Sequence, residues 1–123
     1  MKDMKFNWCT ISVKDIEESI RFYQDIVGLS IERRFKAGPD AEICFMDGGE
    51  TKIELICDKG HKAPGNIEGI SLGFEVKPVD EMLELVKSRG LKVESGPIQP
   101  NPHVRFFFVK DPNGLSVQFI ENL

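Results

Sequence analysis

The chain contains one unit twice. Val13-Lys14-Asp15-Ile16-Glu17-Glu18 lines up with Val76-Lys77-Pro78-Val79-Asp80-Glu81, Gly28-Leu29-Ser30-Ile31-Glu32 with Gly90-Leu91-Lys92-Val93-Glu94, and Ile53-Glu54-Leu55-Ile56 with Val117-Gln118-Phe119-Ile120. Internal repetition restricts the fold strongly, because each copy has to be one supersecondary unit that cannot bury all of its apolar surface alone. The full 123 residues are the size of a single compact domain, with no room for a separate cofactor domain. The expected organisation is one domain over 1–123, with a first module at 5–57, a linker at 58–69 rich in glycine, lysine and proline, and a second module at 70–123.

Each copy reads as strand, helix, then three strands. Between Phe6 and Val13, Cys9, Ile11 and Val13 alternate with Trp8, Thr10 and Ser12, the period of a sheet with two unlike faces. Asp15 is placed to cap a helix, with Glu18 three residues on, and Ile16, Ile20, Tyr23 and Val27 form its apolar stripe before Gly28. In the second copy Ile70, Leu72, Phe74 and Val76 alternate with Ser71, Gly73 and Glu75. Pro78 opens a helix where its missing N–H is harmless, Val79, Met82, Leu83 and Val86 form its stripe, and Gly90 ends it. Further strands are expected near 30–36, 41–47 and 51–57, and near 91–95, 104–110 and 115–121. Asp47-Gly48-Gly49 and Asp111-Pro112-Asn113-Gly114 are turns. The fold class is α+β: two tandem βαβββ modules forming a curved mixed-sheet cleft.

One helix per sheet covers one face and leaves the other for something else. The expectation is that the uncovered faces line a cleft. Alternation assigns to it Trp8, Thr10, Ser12 and Glu54 from one copy, and Ser71, Gly73, Glu75 and Gln118 from the other. On the middle strands Ile43 and Phe45 share one face, as do Val104, Phe106 and Phe108; spacing alone leaves each set to the cleft or the core, and the cleft is the preferred side for both. Aromatic walls with few polar groups are the makeup of a small-molecule pocket. Ligand-binding candidates are therefore Trp8, Thr10, Phe45, Ser71, Phe106, Phe108 and Gln118. Desolvation favours the neutral form of a carboxylic acid, so Glu54 is the candidate catalytic base, with ligand orientation or a structural hydrogen bond as its other roles.

Composition narrows the partners. Hydrophobic residues at 41% and charged residues at 29% suit a soluble globule, and no apolar run reaches the roughly 20 residues that span a bilayer. Met1-Lys2-Asp3-Met4-Lys5 leads into strand-like alternation rather than an apolar signal core, so a cytoplasmic location with no membrane partner is expected. A net charge of -4 with interspersed signs speaks against nucleic acid. Cys9, Cys44 and Cys57 match no zinc or redox spacing and are expected to be free thiols.

The run Val13-Lys14-Asp15-Ile16-Glu17-Glu18-Ser19-Ile20-Arg21-Phe22-Tyr23-Gln24-Asp25-Ile26-Val27-Gly28, with the later Asp111-Pro112-Asn113-Gly114, resembles the vicinal oxygen chelate superfamily, which holds glyoxalase I, extradiol dioxygenases, fosfomycin-modifying enzymes and bleomycin-binding proteins. The resemblance covers nearly the whole chain and implies homodimers. It marks the fold rather than an activity. Metal-dependent members take ligands from the first and last strand of each repeat, and those positions read Trp8, Glu54, Ser71 and Gln118 here. An indole offers no lone pair and serine is a weak ligand, so no metal site and no cofactor are expected. Positions resembling the glutathione contacts of glyoxalase I read Ser12 and Asp58. His61 and His103 fall in loops, away from the ligand positions, and one of Arg33, Arg34 and Arg105 is a candidate for holding an anionic group. The expected function is metal-independent binding or sequestration of a small molecule. The alternative is a metal-dependent lyase, isomerase or dioxygenase, lactoylglutathione-lyase-like, using Glu54 and Gln118.

Overall fold

The computed structural model describes residues 3–123; residues 1 and 2, part of the amino-terminal segment read as lacking a signal, lie outside the described residues. The chain forms two compact units that divide between Pro64 and Gly65, inside the expected linker.

In the first unit, strand β1 (Trp8–Ser12) leads into helix α1 (Ile16–Arg21) and a π-helical turn (Phe22–Ile26), followed by β2 (Ser30–Ala37), β3 (Ala41–Asp47) and β4 (Lys52–Asp58). The sheet order is β1-β4-β3-β2, with β1 parallel to β4 and the other pairs antiparallel. Asp15 caps α1 by accepting a hydrogen bond from the Glu18 N–H at 3.2 Å, as its spacing predicts. The stripe departs from a pure 3.6 period. The Val27 N–H donates to the carbonyl of Phe22, five residues back, and this wider turn buries Phe22, Tyr23 and Ile26 while Val27 is only half-buried. α1 packs on β3 and β4, where Cys44, Met46, Ile53 and Leu55 face it and are buried.

The second unit repeats the plan. Strand β5 (Ser71–Glu75), helix α2 (Val79–Ser88), β6 (Val93–Asn101), β7 (Val104–Lys110) and β8 (Ser116–Asn122) form a sheet in the order β5-β8-β7-β6, with β5 parallel to β8. α2 packs on β7 and β8, over buried Phe107, Val109, Val117 and Phe119. Its own stripe is narrower than expected: Val79 and Val86 are buried, but Met82 and Leu83 are only half-buried. With Pro78 at the cap, the Val79 N–H donates to the Glu121 carboxylate at 2.9 Å.

Strand β6 corrects the expected 91–95. It runs on through Gly96, Pro97 and Pro100 to Asn101, with three shifts of register against β7. Proline is compatible because β6 lies at the edge of its sheet, where an N–H can be dispensed with on the open side.

The turn 111–114 joins β7 to β8. Buried Asp111 accepts hydrogen bonds through Oδ1 from the N–H groups of Asn113 (2.8 Å) and Leu115 (2.9 Å). Gly114 holds φ +83, and a Cβ there would lie 2.7 Å from the Gly65 carbonyl oxygen, so only glycine fits. Removing Asp111 strands two N–H donors near the core. Asp111→Ala is therefore expected to lower the unfolding free energy by about 1–3 kcal/mol, measured by urea denaturation with an unchanged m-value.

Candidate functional site

Period-two geometry gives each sheet a face away from its helix. In the first unit the strand register aligns four residues of that face in one row across the sheet: Thr10 opposite Glu54, Glu54 opposite Phe45, and Phe45 opposite Arg33. Thr10 Oγ1 donates to Glu54 Oε1 at 2.5 Å, so the carboxylate is oriented by its neighbour on the edge strand. Glu54 is half-buried rather than deep.

Beside this row stands an aromatic cluster. The Trp8 and Phe45 rings meet edge to face with centroids 5.3 Å apart, and Phe35 stacks on Phe45 at 6.3 Å. Phe45 is 3% exposed, whereas Trp8 and Phe35 are 45% and 38% exposed, so the two outer rings are the ones open to solvent. The Arg33 guanidinium carbon lies 4.7 Å from the Phe45 centroid and 5.3 Å from that of Phe35, a cation–π arrangement.

Three arginines that looked alike in the sequence have different fates. Arg34 donates to Glu42 at 2.5 Å and to Glu17, on the helix side of the sheet, and Arg105 pairs with Asp80 at 2.9 Å. Among the described residues Arg33 has no carboxylate within ion-pair distance. A bulge separates the neighbours. Ile31 pairs with Met46 and Arg33 with Phe45, so Glu32 is an extra residue on β2. Without it Arg33 would face the helix. No glycine marks the bulge, and β2 carries charges on both faces, which hid both Arg33 and Phe35 from an alternation argument.

The second unit repeats the row with other chemistry. Gly73 lies opposite Gln118, Gln118 opposite Phe108, and Phe108 opposite Ser95. Position by position, glycine stands for Thr10, an amide for the Glu54 carboxylate and a hydroxyl for the Arg33 cation. Phe106 and Phe108 meet edge to face at 5.8 Å, both half-buried, and Ser71 is exposed on the edge strand β5. His61 and His103 are exposed, and the His103 backbone N–H donates to the Asn101 side chain at 2.8 Å.

The donor sets do not fit a tightly held divalent ion. At the positions that resemble the family's ligand positions, the first unit offers one carboxylate, already hydrogen-bonded, beside an indole, and the second a hydroxyl and an amide. Glu75, on the same face of β5, accepts a hydrogen bond from the Asn122 side chain at 2.7 Å. Among the described residues no three His, Cys, Asp or Glu side chains cluster as a metal site would require. All three cysteines are free, and burial pushes the Cys44 thiol up, away from the reactive thiolate.

The sequence model of the Glyoxalase/Bleomycin resistance protein/Dioxygenase superfamily matches residues 5–119. The chain is 30% identical to the lactoylglutathione lyase of Haemophilus influenzae over 121 residues, covering 91% of this chain and 88% of that one. It therefore belongs to the Glyoxalase/Bleomycin resistance protein/Dioxygenase superfamily. Solved structures share the fold. The trypanothione-dependent glyoxalase I of Leishmania major superposes with a TM-score of 0.82 at 21% identity, over 97% of this chain and 87% of that one. TnmS3, an antibiotic binding protein from a Streptomyces species, superposes with a TM-score of 0.80 at 22% identity, over 100% of this chain and 99% of that one. Among the described residues no helix is long and apolar enough to cross a membrane.

The Arg34 cluster generates a pH prediction. The hydrogen bond from Arg34 holds the Glu42 carboxyl below the usual carboxylate range, and Arg34 in turn is held protonated, chiefly by Glu42 and then by Glu17. The stabilisation is complete above the unfolded carboxylate value of about 4.3 and is lost as pH falls through the lower folded value. Thermal melts followed by circular dichroism from pH 7 to 2.5 should show the wild type losing stability more steeply on the acid side than Glu42→Gln. Parallel acid limbs would contradict the pairing.

Proposed function

We propose that the chain is a small-molecule-binding member of the superfamily that works without a metal ion. The exposed rings of Trp8 and Phe35, backed by Phe45, hold a planar, partly apolar ligand, and Glu54, fixed by Thr10, orients it through a hydrogen bond. Ser71, Phe106, Phe108 and Gln118 supply the corresponding ligand-facing surface of the second unit. The observation that carries this reading is the aromatic cluster beside an oriented carboxylate, at positions whose donor chemistry does not suit a divalent ion. The fold shared with an antibiotic binding protein supports sequestration as the biological use. A cytoplasmic homodimer is part of the same proposal, supported by exposed edge strands and by the exposed Met4, Phe6 and Ile70.

A second reading is favoured by one observation, the 30% identity to a lactoylglutathione lyase over most of both chains. On that reading Glu54 and Gln118 act in a metal-dependent lyase, isomerase or dioxygenase. The two separate cleanly. Protein purified without chelator is expected to carry far less than one divalent ion per chain and to show no lactoylglutathione lyase activity with added zinc or nickel. In a thermal-shift screen of planar aromatic compounds, ligands that raise the melting temperature should alter the emission of Trp8, the single tryptophan. Trp8→Ala should weaken them roughly two- to tenfold. Stoichiometric zinc, nickel, iron or manganese lost on Glu54→Ala would establish the second reading instead.

A further inference from the structure

We infer that Arg33 selects an anionic ligand, so that the molecule held on the open face of the first unit is a planar aromatic carboxylate with a hydrogen-bond donor at its far end. This rests on the reading of that face as a ligand surface and goes further by naming the ligand's charge.

Three observations converge. Arg33 is the member of its trio without a carboxylate partner among the described residues, while Arg34 and Arg105 are each held by acids. Lys52, another cation on this face, is paired with Glu32 at 3.1 Å. The β2 bulge at Glu32 turns Arg33 onto the ligand face and Arg34 onto the helix side, so the local backbone distortion delivers one guanidinium to the aromatic cluster. The guanidinium lies over the Phe45 and Phe35 rings, which hold it against the aromatic cluster. Its N–H donors lie around its edge, and a carboxylate accepts two of them side by side. The immobilisation is made before the ligand arrives, which lowers the entropic cost of binding.

The row also sets the ligand's length and polarity. Arg33 and Glu54 lie on the same row, one strand apart on either side of Phe45, so their backbones are separated by about 10 Å, two strand spacings. A cation at one end and a hydrogen-bond acceptor at the other, with exposed rings alongside, complement a flat molecule that is anionic at one end and donates at the other. The equivalent row of the second unit, Gly73, Gln118, Phe108 and Ser95, carries no charge. Charge selection therefore belongs to the first unit.

The test uses the full chain and two probes of one shape, 6-hydroxy-2-naphthoate and 6-hydroxy-2-naphthamide, titrated by calorimetry at low and high salt. The naphthoate should bind about ten- to a hundredfold more tightly, the range of a charge-assisted paired hydrogen bond, and the preference should shrink as salt rises. Arg33→Gln should abolish the preference by weakening the naphthoate far more than the naphthamide, while Arg33→Lys should retain part of it. Equal affinities for the two probes, or a preference that survives in Arg33→Gln, would overturn the role of Arg33. The ligand surface itself would stand in that case, provided that Trp8→Ala weakens both probes. Failure of both probes to bind at millimolar concentration would remove the surface and the charge selection together. If Arg33→Gln does not fold, as judged by circular dichroism, the comparison of the two probes on the wild type still decides the matter.

Discussion

Each four-stranded sheet in this protein has one helix, and a helix can cover only one face. The buried side of the first sheet is filled by Cys44, Met46, Ile53 and Leu55 beneath α1, and that of the second by Phe107, Val109, Val117 and Phe119 beneath α2. Full burial of such a side chain is worth roughly 1.5–3 kcal/mol, so these two layers hold each sheet to its helix. Because side chains alternate along a strand, fixing the buried set also fixes the set on the other side. Trp8, Thr10, Glu54 and Phe45 lie where they do because Cys9, Ile11, Leu55 and Cys44 are claimed by the helix side.

This coupling explains why so much was legible from residues alone. Alternation on β1, β4, β5 and β8 is clean, and the repeat supplies each assignment twice, so the order of elements along the chain and the faces of those strands followed from spacing. The middle strands β3 and β7 carry apolar residues on both faces, and only the register settles which side each one presents. Where a single insertion changes parity, spacing loses its power. The extra Glu32 in β2 exchanges the faces of everything on one side of it, and neither glycine nor proline announces it. The π-helical turn acts in the same way on a helix, exchanging Val27 for Ile26 in the core. At β6, prolines that normally argue against a strand are accommodated by an edge position, which depends on tertiary arrangement and leaves no local mark.

The two units also show how one scaffold can be given different chemistry. Equivalent rows across the two sheets read threonine, glutamate, phenylalanine and arginine in one, and glycine, glutamine, phenylalanine and serine in the other. The aromatic residue is kept in both, so the apolar wall is the shared element and the polar residues around it differ. Changing those residues leaves the helix-facing layer untouched, since they do not contribute to it. That separation of fold from surface chemistry fits a fold shared by a glyoxalase I and by an antibiotic binding protein.

On β4, neighbouring side chains live in unlike environments, Leu55 sealed under the helix and Glu54 open to solutes on the other face. Thiol labelling measures this directly. In a chain whose Cys9, Cys44 and Cys57 are replaced by alanine, single cysteines are placed in turn at positions 54 and 55, as Glu54→Cys and Leu55→Cys, and their modification by a small maleimide is followed under native conditions. The account predicts rapid labelling at position 54 and protection at position 55 that is lifted only by global unfolding. Comparable protection at both positions, or faster labelling at 55, would contradict it.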